Sequence, residues 1–120
     1  MTKIKSIQLE KFDHFRTEMN SRILESGNLE TKRFFGLDSK IYEAGILPKE
    51  TKEMLGLAAS MVLRCDDCIT YHIKECLNAG VKRAELAEVF NIALIVGGSI
   101  VIPHLRRAVA VLDQLDPDRS

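Results

Sequence analysis

The segment PKETKEMLGLAASMVLRCDDCITYHIKECLNA, residues 48–79, predicts two helices joined by a very short turn. Pro48 suits the first turn of a helix, where its missing N–H leaves nothing unpaired, and that helix runs to Leu63. After a polar start it is apolar on almost every side, so it must be buried on every side. The second helix is expected over residues 67–79, capped by Asp66 or Asp67. The short connection favours two antiparallel helices in contact.

Outside this hairpin, turn signals divide the chain into further helical lengths and no alternating strand pattern appears. The further helices are expected from Ser6 to Ser26, from Leu29 to Ala44, from Arg83 to Val96 after a weak start at Lys82, and from the region of Pro103 to Leu115. The sequence therefore predicts an all-α fold, a compact bundle of about six helices with the CxxC-bearing hairpin at its centre. A single domain is expected over residues 1–120, with a helical extension at 1–36 and a motif-bearing core at 37–115.

Charge and composition argue against several classes of partner. Seventeen basic residues balance seventeen acidic ones, and aromatic residues make up 6% of the chain, so neither nucleic acid nor an anionic membrane is an expected partner. The N-terminus has no apolar core of a secretory signal, and the longest apolar run is interrupted and too short to span a bilayer. We expect a cytoplasmic protein, in which closely spaced thiols are more often catalytic or metal-binding than structural.

The two central helices have little polar surface for a chain of 13.5 kDa. Small domains have a high surface-to-volume ratio, which makes complete burial of both helices within one subunit difficult. We therefore expect part of this apolar surface to lie at a subunit interface of a homo-oligomer.

The pattern Cys65-Asp-Asp-Cys68 with His72 four residues later is the strongest chemical signal. Cys68 and His72 share a helix face, and C-x-x-C spacing is the recurring form of a redox-active pair. Glu53 lies too far along its own helix to reach Cys65, but an antiparallel hairpin can bring it to Cys68 or His72. Alternatively, Glu53 is solvated among charged neighbours and the thiols are small core residues.

Cys76 raises the alternative of a zinc site with Cys65, Cys68 and His72. On one continuous helix, however, Cys68 and Cys76 are separated by about 12 Å of rise, which exceeds the spacing of sulfurs around one zinc ion. A core position is expected for Cys76, and His104 is a weaker candidate for lining a pocket. Because no glycine-rich nucleotide motif is present, we expect no bound cofactor and a reductant that is another protein.

The arrangement of Glu53, eleven residues, Cys65-Asp-Asp-Cys68, three residues and His72 resembles the alkylhydroperoxidase D-like and carboxymuconolactone decarboxylase family. The sequences CITYHIK after position 67, NAGV at 78–81 and VGGS at 96–99 are also similar to that family. The resemblance covers about residues 37–115 and implies helical subunits assembled as trimers or hexamers.

In the peroxidase branch, the resemblance implies that Cys68 attacks the peroxide, that Cys65 resolves the product as a disulfide, and that Glu53 and His72 relay protons. It implies a peroxiredoxin-type alkylhydroperoxidase that reduces a hydroperoxide and is recycled by a dithiol protein of thioredoxin or lipoyl type. Two alternatives are a decarboxylase-like lyase that uses Glu53 and His72, and a non-catalytic redox-sensing oligomer.

Overall fold

The computed structural model describes residues 2–117, with the side chains of residues 9–117, as six α-helices and one short 3-10 turn. The elements are α1 (Thr2–Ser26), α2 (Leu29–Ile41), α3 (Lys49–Leu63), α4 (Asp66–Asn78), α5 (Arg83–Gly97), the 3-10 turn (Ser99–Val101) and α6 (Ile102–Leu115). No strand occurs within the described residues, and the all-α prediction is confirmed. Within the same part of the chain, no helix combines the length and apolar character needed to cross a membrane.

The chain forms two compact units, residues 1–43 and residues 44–120. In the first unit α1 contacts α2. Asn28 caps α2, because its side-chain oxygen accepts a hydrogen bond from the Thr31 backbone N–H at 3.0 Å. The predicted end of the first helix at Ser26 is confirmed, whereas its start lies at Thr2 rather than Ser6.

The second helix ends earlier than the sequence predicts. It stops at Ile41 instead of Ala44, and Tyr42 is its C-cap. The chain then makes a tight turn in which the Gly45 N–H donates to the Leu47 carbonyl at 3.0 Å.

The second unit contains the hydrophobic core, which α3, α4, α5 and α6 build together. Helix α3 packs against α4 and α5, and α4 packs against α6. The buried apolar residues are Leu57, Met61, Ile69, Ile73, Cys76, Val81, Leu86, Val89, Phe90, Ala93, Val101, Ala108 and Leu112. Their spacing of three and four places one apolar face of each helix on this core.

The connection from α3 to α4 is compact because Arg64 adopts a left-handed conformation, with φ of 62°. The Arg64 and Cys65 N–H groups donate to the carbonyls of Met61 and Ser60, each at 3.0 Å, which closes the end of α3. Helix α4 consequently starts at Asp66, and its N-cap is Cys65. The prediction that Asp66 or Asp67 caps this helix is therefore wrong.

The glycine pair after α5 turns the chain into α6. Gly98 has φ of 82°, a conformation that side-chain-bearing residues rarely adopt. A Cβ atom at Gly97 would collide with the Val101 side chain, so this glycine permits close packing. Pro103 lies in the first turn of α6, as predicted.

Candidate active site

A buried carboxylate–imidazole pair joins α3 to α4. Glu53 is completely buried, and its Oε1 lies 2.9 Å from Nδ1 of the buried His72. Because an ionised carboxylate only accepts hydrogen bonds, Nδ1–H is the donor in this pair. The structure thus brings together two of the predicted site residues, and the alternative of a solvated Glu53 is wrong.

Lys49 occupies the other oxygen of Glu53. Its Nζ lies 3.1 Å from Oε2 of Glu53 and 4.0 Å from Oε1 of Glu75. The hydrogen bond with Glu53 raises the pKa of Lys49, against the opposing effect of burial. Sequence reasoning missed Lys49, although its position one helical turn before Glu53 is a signal that could have found it.

The two cysteines of the motif lie together at the N-terminus of α4, and both are free thiols. Cys65 Sγ accepts a hydrogen bond from the Cys68 backbone N–H at 3.3 Å. Cys65 is half-buried and Cys68 is exposed. The pair is therefore open to a small reactant.

The reduced pair does not present Cys68 as an activated thiolate. Desolvation of its sulfur, the hydrogen bond and charge of Cys65, and the charge of Asp67 together raise the pKa of Cys68 to about 11. A backbone hydrogen bond opposes this shift. At pH 7 a thiol with such a pKa is about one part in 10⁴ ionised. Attack by Cys68 therefore requires a base that removes its proton.

A second carboxylate–imidazole pair connects the motif to α6. Oδ1 of Asp66 lies 2.8 Å from His104 Nδ1, and Oδ2 of Asp66 accepts from Arg107 Nη1 at 3.1 Å. The sequence marked His104 as a pocket candidate and gave no signal for this cluster, because its members are 38 and 41 residues apart along the chain.

Cys76 lies in the hydrophobic core, as predicted, and is fully buried. Burial is the main cause that raises its pKa to about 12, with the charges of Glu53 and Glu75 adding to the effect. Over residues 2–117, no group of three or more histidine, cysteine, aspartate or glutamate side chains is placed to hold a metal ion. The zinc alternative therefore has no geometric support.

A sequence model of the carboxymuconolactone decarboxylase family matches residues 12–112. The chain belongs to this family. The matched segment includes all four predicted site residues.

Relatives within the family include several proteins of bacteria. A Thermotoga maritima structure, described as a family protein with a suggested involvement in the antioxidative response, is 54% identical with a TM-score of 0.86 and matches 89% of this chain and 91% of its own. An apo structure of a Legionella pneumophila family protein shares the fold, with 24% identity, a TM-score of 0.74, and coverage of 92% and 99% respectively.

A curated relative from Cupriavidus necator, itself uncharacterized, is 29% identical over 103 residues, which are 83% of this chain and 91% of the relative. The protein named uncharacterized protein 4 in the cox locus of Paracoccus denitrificans is 29% identical over 83 residues, or 69% and 75% of the two chains.

Proposed function

We propose that this family member is a thiol-dependent peroxidase that reduces hydroperoxides at the Cys65–Cys68 pair. The observation that carries the proposal is a pair of neighbouring free thiols at a helix N-terminus, in which Cys65 Sγ accepts from the Cys68 backbone N–H. The same helix supplies His72 of the buried Glu53–His72 pair. The antioxidative involvement suggested for the Thermotoga maritima relative supports the same chemistry.

The proposed reaction has two steps on the protein. The Cys68 thiolate attacks one oxygen of the peroxide, the O–O bond breaks, and the departing alkoxide takes a proton, giving an alcohol and a Cys68 sulfenic acid. Cys65 then attacks the Cys68 sulfur, and water leaves as the disulfide forms. Both electrons transferred to the peroxide come from the two thiols.

The Glu53–His72 pair supplies the base that the first step needs. Nε2 of His72 takes the Cys68 proton and returns it to the departing oxygen, while Glu53 stabilises the resulting imidazolium through Nδ1–H. Lys49 holds the second Glu53 oxygen, so that the carboxylate keeps its orientation. Both oxygens of this fully buried carboxylate are therefore paired.

Reduction of the disulfide requires a dithiol, and we propose a protein partner of thioredoxin or lipoyl type. Exchange begins when a thiolate of the partner attacks one sulfur of the disulfide. The exposed position of Cys68 makes its sulfur the accessible target. The partner leaves as a disulfide, and both thiols of the motif are restored.

The test is hydroperoxide consumption with dithiothreitol as the reductant. Cys68→Ser should abolish turnover, and Cys65→Ser treated with peroxide in the absence of dithiothreitol should accumulate a sulfenic acid at Cys68 that dimedone traps. Cys76→Ala is the matched control, since it removes a thiol from the core and should retain turnover. Unchanged turnover by Cys68→Ser would show that the assignment is wrong.

A second candidate is favoured by the raised pKa of Cys68, which keeps this residue a thiol at neutral pH. In that alternative, Glu53 and His72 carry out acid–base chemistry of a decarboxylase-like lyase, and the thiols are bystanders. Its activity would be insensitive to alkylation of Cys65 and Cys68, whereas peroxide turnover would be lost. Alkylation of the reduced protein before assay therefore separates the two candidates.

We also propose that the subunit forms a homo-oligomer, a trimer or hexamer by resemblance to its family. Large apolar side chains are exposed on α3 and α5, namely Leu55, Leu63, Ile92, Ile95 and Val96. Of these, Leu63, Ile92 and Val96 line a groove of about 320 Å³. A second copy would remove this apolar surface from water.

A further inference from the structure

Asp66 stands between the two cysteines of the motif, in the first turn of α4. Both of its oxygens are occupied by side chains from α6, at 2.8 Å from His104 Nδ1 and 3.1 Å from Arg107 Nη1. His104 is largely buried, with 17% of its side chain exposed, whereas Arg107 is 61% exposed. The carboxylate is therefore held in one place by two groups of another helix.

The neighbouring aspartate behaves differently. Among the described residues, Asp67 is the carboxylate whose charge raises the pKa of Cys68, and Asp66 is not among the causes. Both residues lie in the first turn of α4, and both are within two positions of Cys68. Asp66 lies two residues before Cys68, on another side of the helix, and there it pairs with His104 and Arg107.

An unrestrained Asp66 would move toward the thiols. The N-terminus of a helix attracts carboxylates in its first turn, because its N–H groups carry partial positive charge. At this terminus, the Cys68 N–H already donates to Cys65 Sγ. A released Asp66 carboxylate would compete for the same partial charge and bring a negative charge close to the Cys68 sulfur.

We propose that His104 and Arg107 are positioning residues that hold the Asp66 carboxylate against α6 and so keep its negative charge away from Cys68. Besides desolvation, the neighbouring groups that raise the pKa of Cys68 are Cys65 at the N-cap and Asp67 in its own helix turn. Those that act on Asp66 are the two side chains of α6. This arrangement rests on the proposed function, which uses Cys68 as nucleophile, and deepens it by naming what preserves the reactivity of that thiol.

A purely structural tie between α4 and α6 makes a different prediction. If the cluster only stabilises packing, replacing Asp66 slows the reaction of Cys68 as much as replacing His104 and Arg107. If the cluster restrains a charge, replacing His104 and Arg107 slows Cys68, and replacing Asp66 as well restores its rate. The two explanations therefore differ in the effect of Asp66→Asn, which slows the thiol under the first explanation and restores its rate in the triple variant under the second.

The experiment measures the alkylation rate of Cys68 by iodoacetamide, an uncharged reagent, at pH 8 in the fully reduced chain. Fragment spectra of the peptide over residues 65–74 assign the label to Cys65 or Cys68. The variants are Arg107→Gln, His104→Gln/Arg107→Gln, Asp66→Asn, and the triple combination. Arg106→Gln is the matched control, because Arg106 is an exposed neighbour on the same helix.

We expect the double variant to alkylate Cys68 about three- to tenfold more slowly, which corresponds to roughly half to one pKa unit. Arg107→Gln should show a smaller effect in the same direction, and 0.5 M salt should reduce both. The triple variant should regain the rate of Asp66→Asn, and Arg106→Gln should match the unmodified chain.

An unchanged rate in the double variant, or a triple variant as slow as the double, would overturn the proposal. If replacing the largely buried His104 unfolds the chain, Arg107→Gln with and without Asp66→Asn provides the same comparison at an exposed position. Alkylation needs no peroxide turnover, so its outcome is independent of whether the peroxidase assignment holds.

Discussion

Replacing Glu53 by glutamine tests the buried pair with both a stability and a rate measurement. The carboxylate is fully buried and accepts at 2.9 Å from His72 and at 3.1 Å from Lys49. Hydrogen bonds to charged groups contribute about 1.5–3 kcal/mol each, and a glutamine can keep only one of these two as an acceptor. Lys49 is partly exposed, so water can hydrate its ammonium group once the carboxylate is gone. We therefore expect the free energy of unfolding to fall by about 2–3 kcal/mol, rather than by the ~3–5 kcal/mol typical of breaking a fully buried ion pair.

The same substitution changes the proton that His72 can carry. In Glu53→Gln, an NH₂ group replaces one carboxylate oxygen, so either Lys49 or His72 now meets a hydrogen-bond donor instead of an acceptor. Facing His72, it forces the imidazole to accept at Nδ1 and to carry its proton at Nε2. The base proposed for the Cys68 proton is then lost, and a fall in kcat of about 10²–10⁴ is expected.

Urea unfolding measures the stability change, and peroxide consumption under conditions where the variant remains folded measures kcat. Glu50→Gln is the matched control, since Glu50 is an exposed glutamate in the first turn of the same helix. It should change the free energy of unfolding by no more than about 0.5 kcal/mol and leave turnover unaffected. A Glu53→Gln protein equal to this control in both measurements would refute the reasoning.

Three further predictions concern the thiols and the apolar surface. Native-state alkylation of Cys68 should rise steadily from pH 7 and level off only near its pKa of about 11, and a plateau below pH 8.5 would contradict the raised pKa. Because the pKa of Cys76 is raised in the folded chain to about 12, its stabilising contribution is complete below about pH 8.5 and is lost as pH rises toward 12. Between pH 7 and pH 10, the free energy of unfolding measured with urea should therefore fall by up to about 2 kcal/mol less in Cys76→Ala than in the unmodified chain. Equal decreases in the two proteins would contradict this prediction. The molar mass from light scattering should be a multiple of 13.5 kDa for the unmodified chain and should be lower for Ile95→Glu. A monomer mass for the unmodified chain would exclude the oligomer.

Helical spacing in the sequence predicted the all-α class. The short connection after Leu63 allowed Glu53 to approach either Cys68 or His72, but a solvated Glu53 stayed open as an alternative until the structure placed it beside His72. The sequence-based prediction failed at the cap of α4, where the left-handed Arg64 shortens the turn and moves Cys65 into the capping position. Such a conformation depends on how α3 and α4 pack, and the local residue preferences do not predict it.

The contacts of Asp66 were beyond prediction for a different reason. His104 and Arg107 belong to α6, and their approach depends on how α4 and α6 pack in the core. Charge pairs between helices leave no periodic pattern in one sequence. Lys49, by contrast, lies on the same helix as Glu53 and at a spacing that favours an ion pair.

The raised pKa of Cys68 makes the proton relay a requirement of the proposed chemistry. At pH 7 an ordinary thiol with a pKa of about 8.5 is about 3% ionised, and a thiol with a pKa of about 11 is about 300-fold less so. A reactive Cys68 therefore depends on proton removal when the peroxide arrives, and a permanently ionised thiolate is not available. Any further negative charge at the turn would reduce the ionised fraction of Cys68 again. In the proposed mechanism, this is the physical reason for α6 to hold Asp66, while Nε2 of His72 serves as the base.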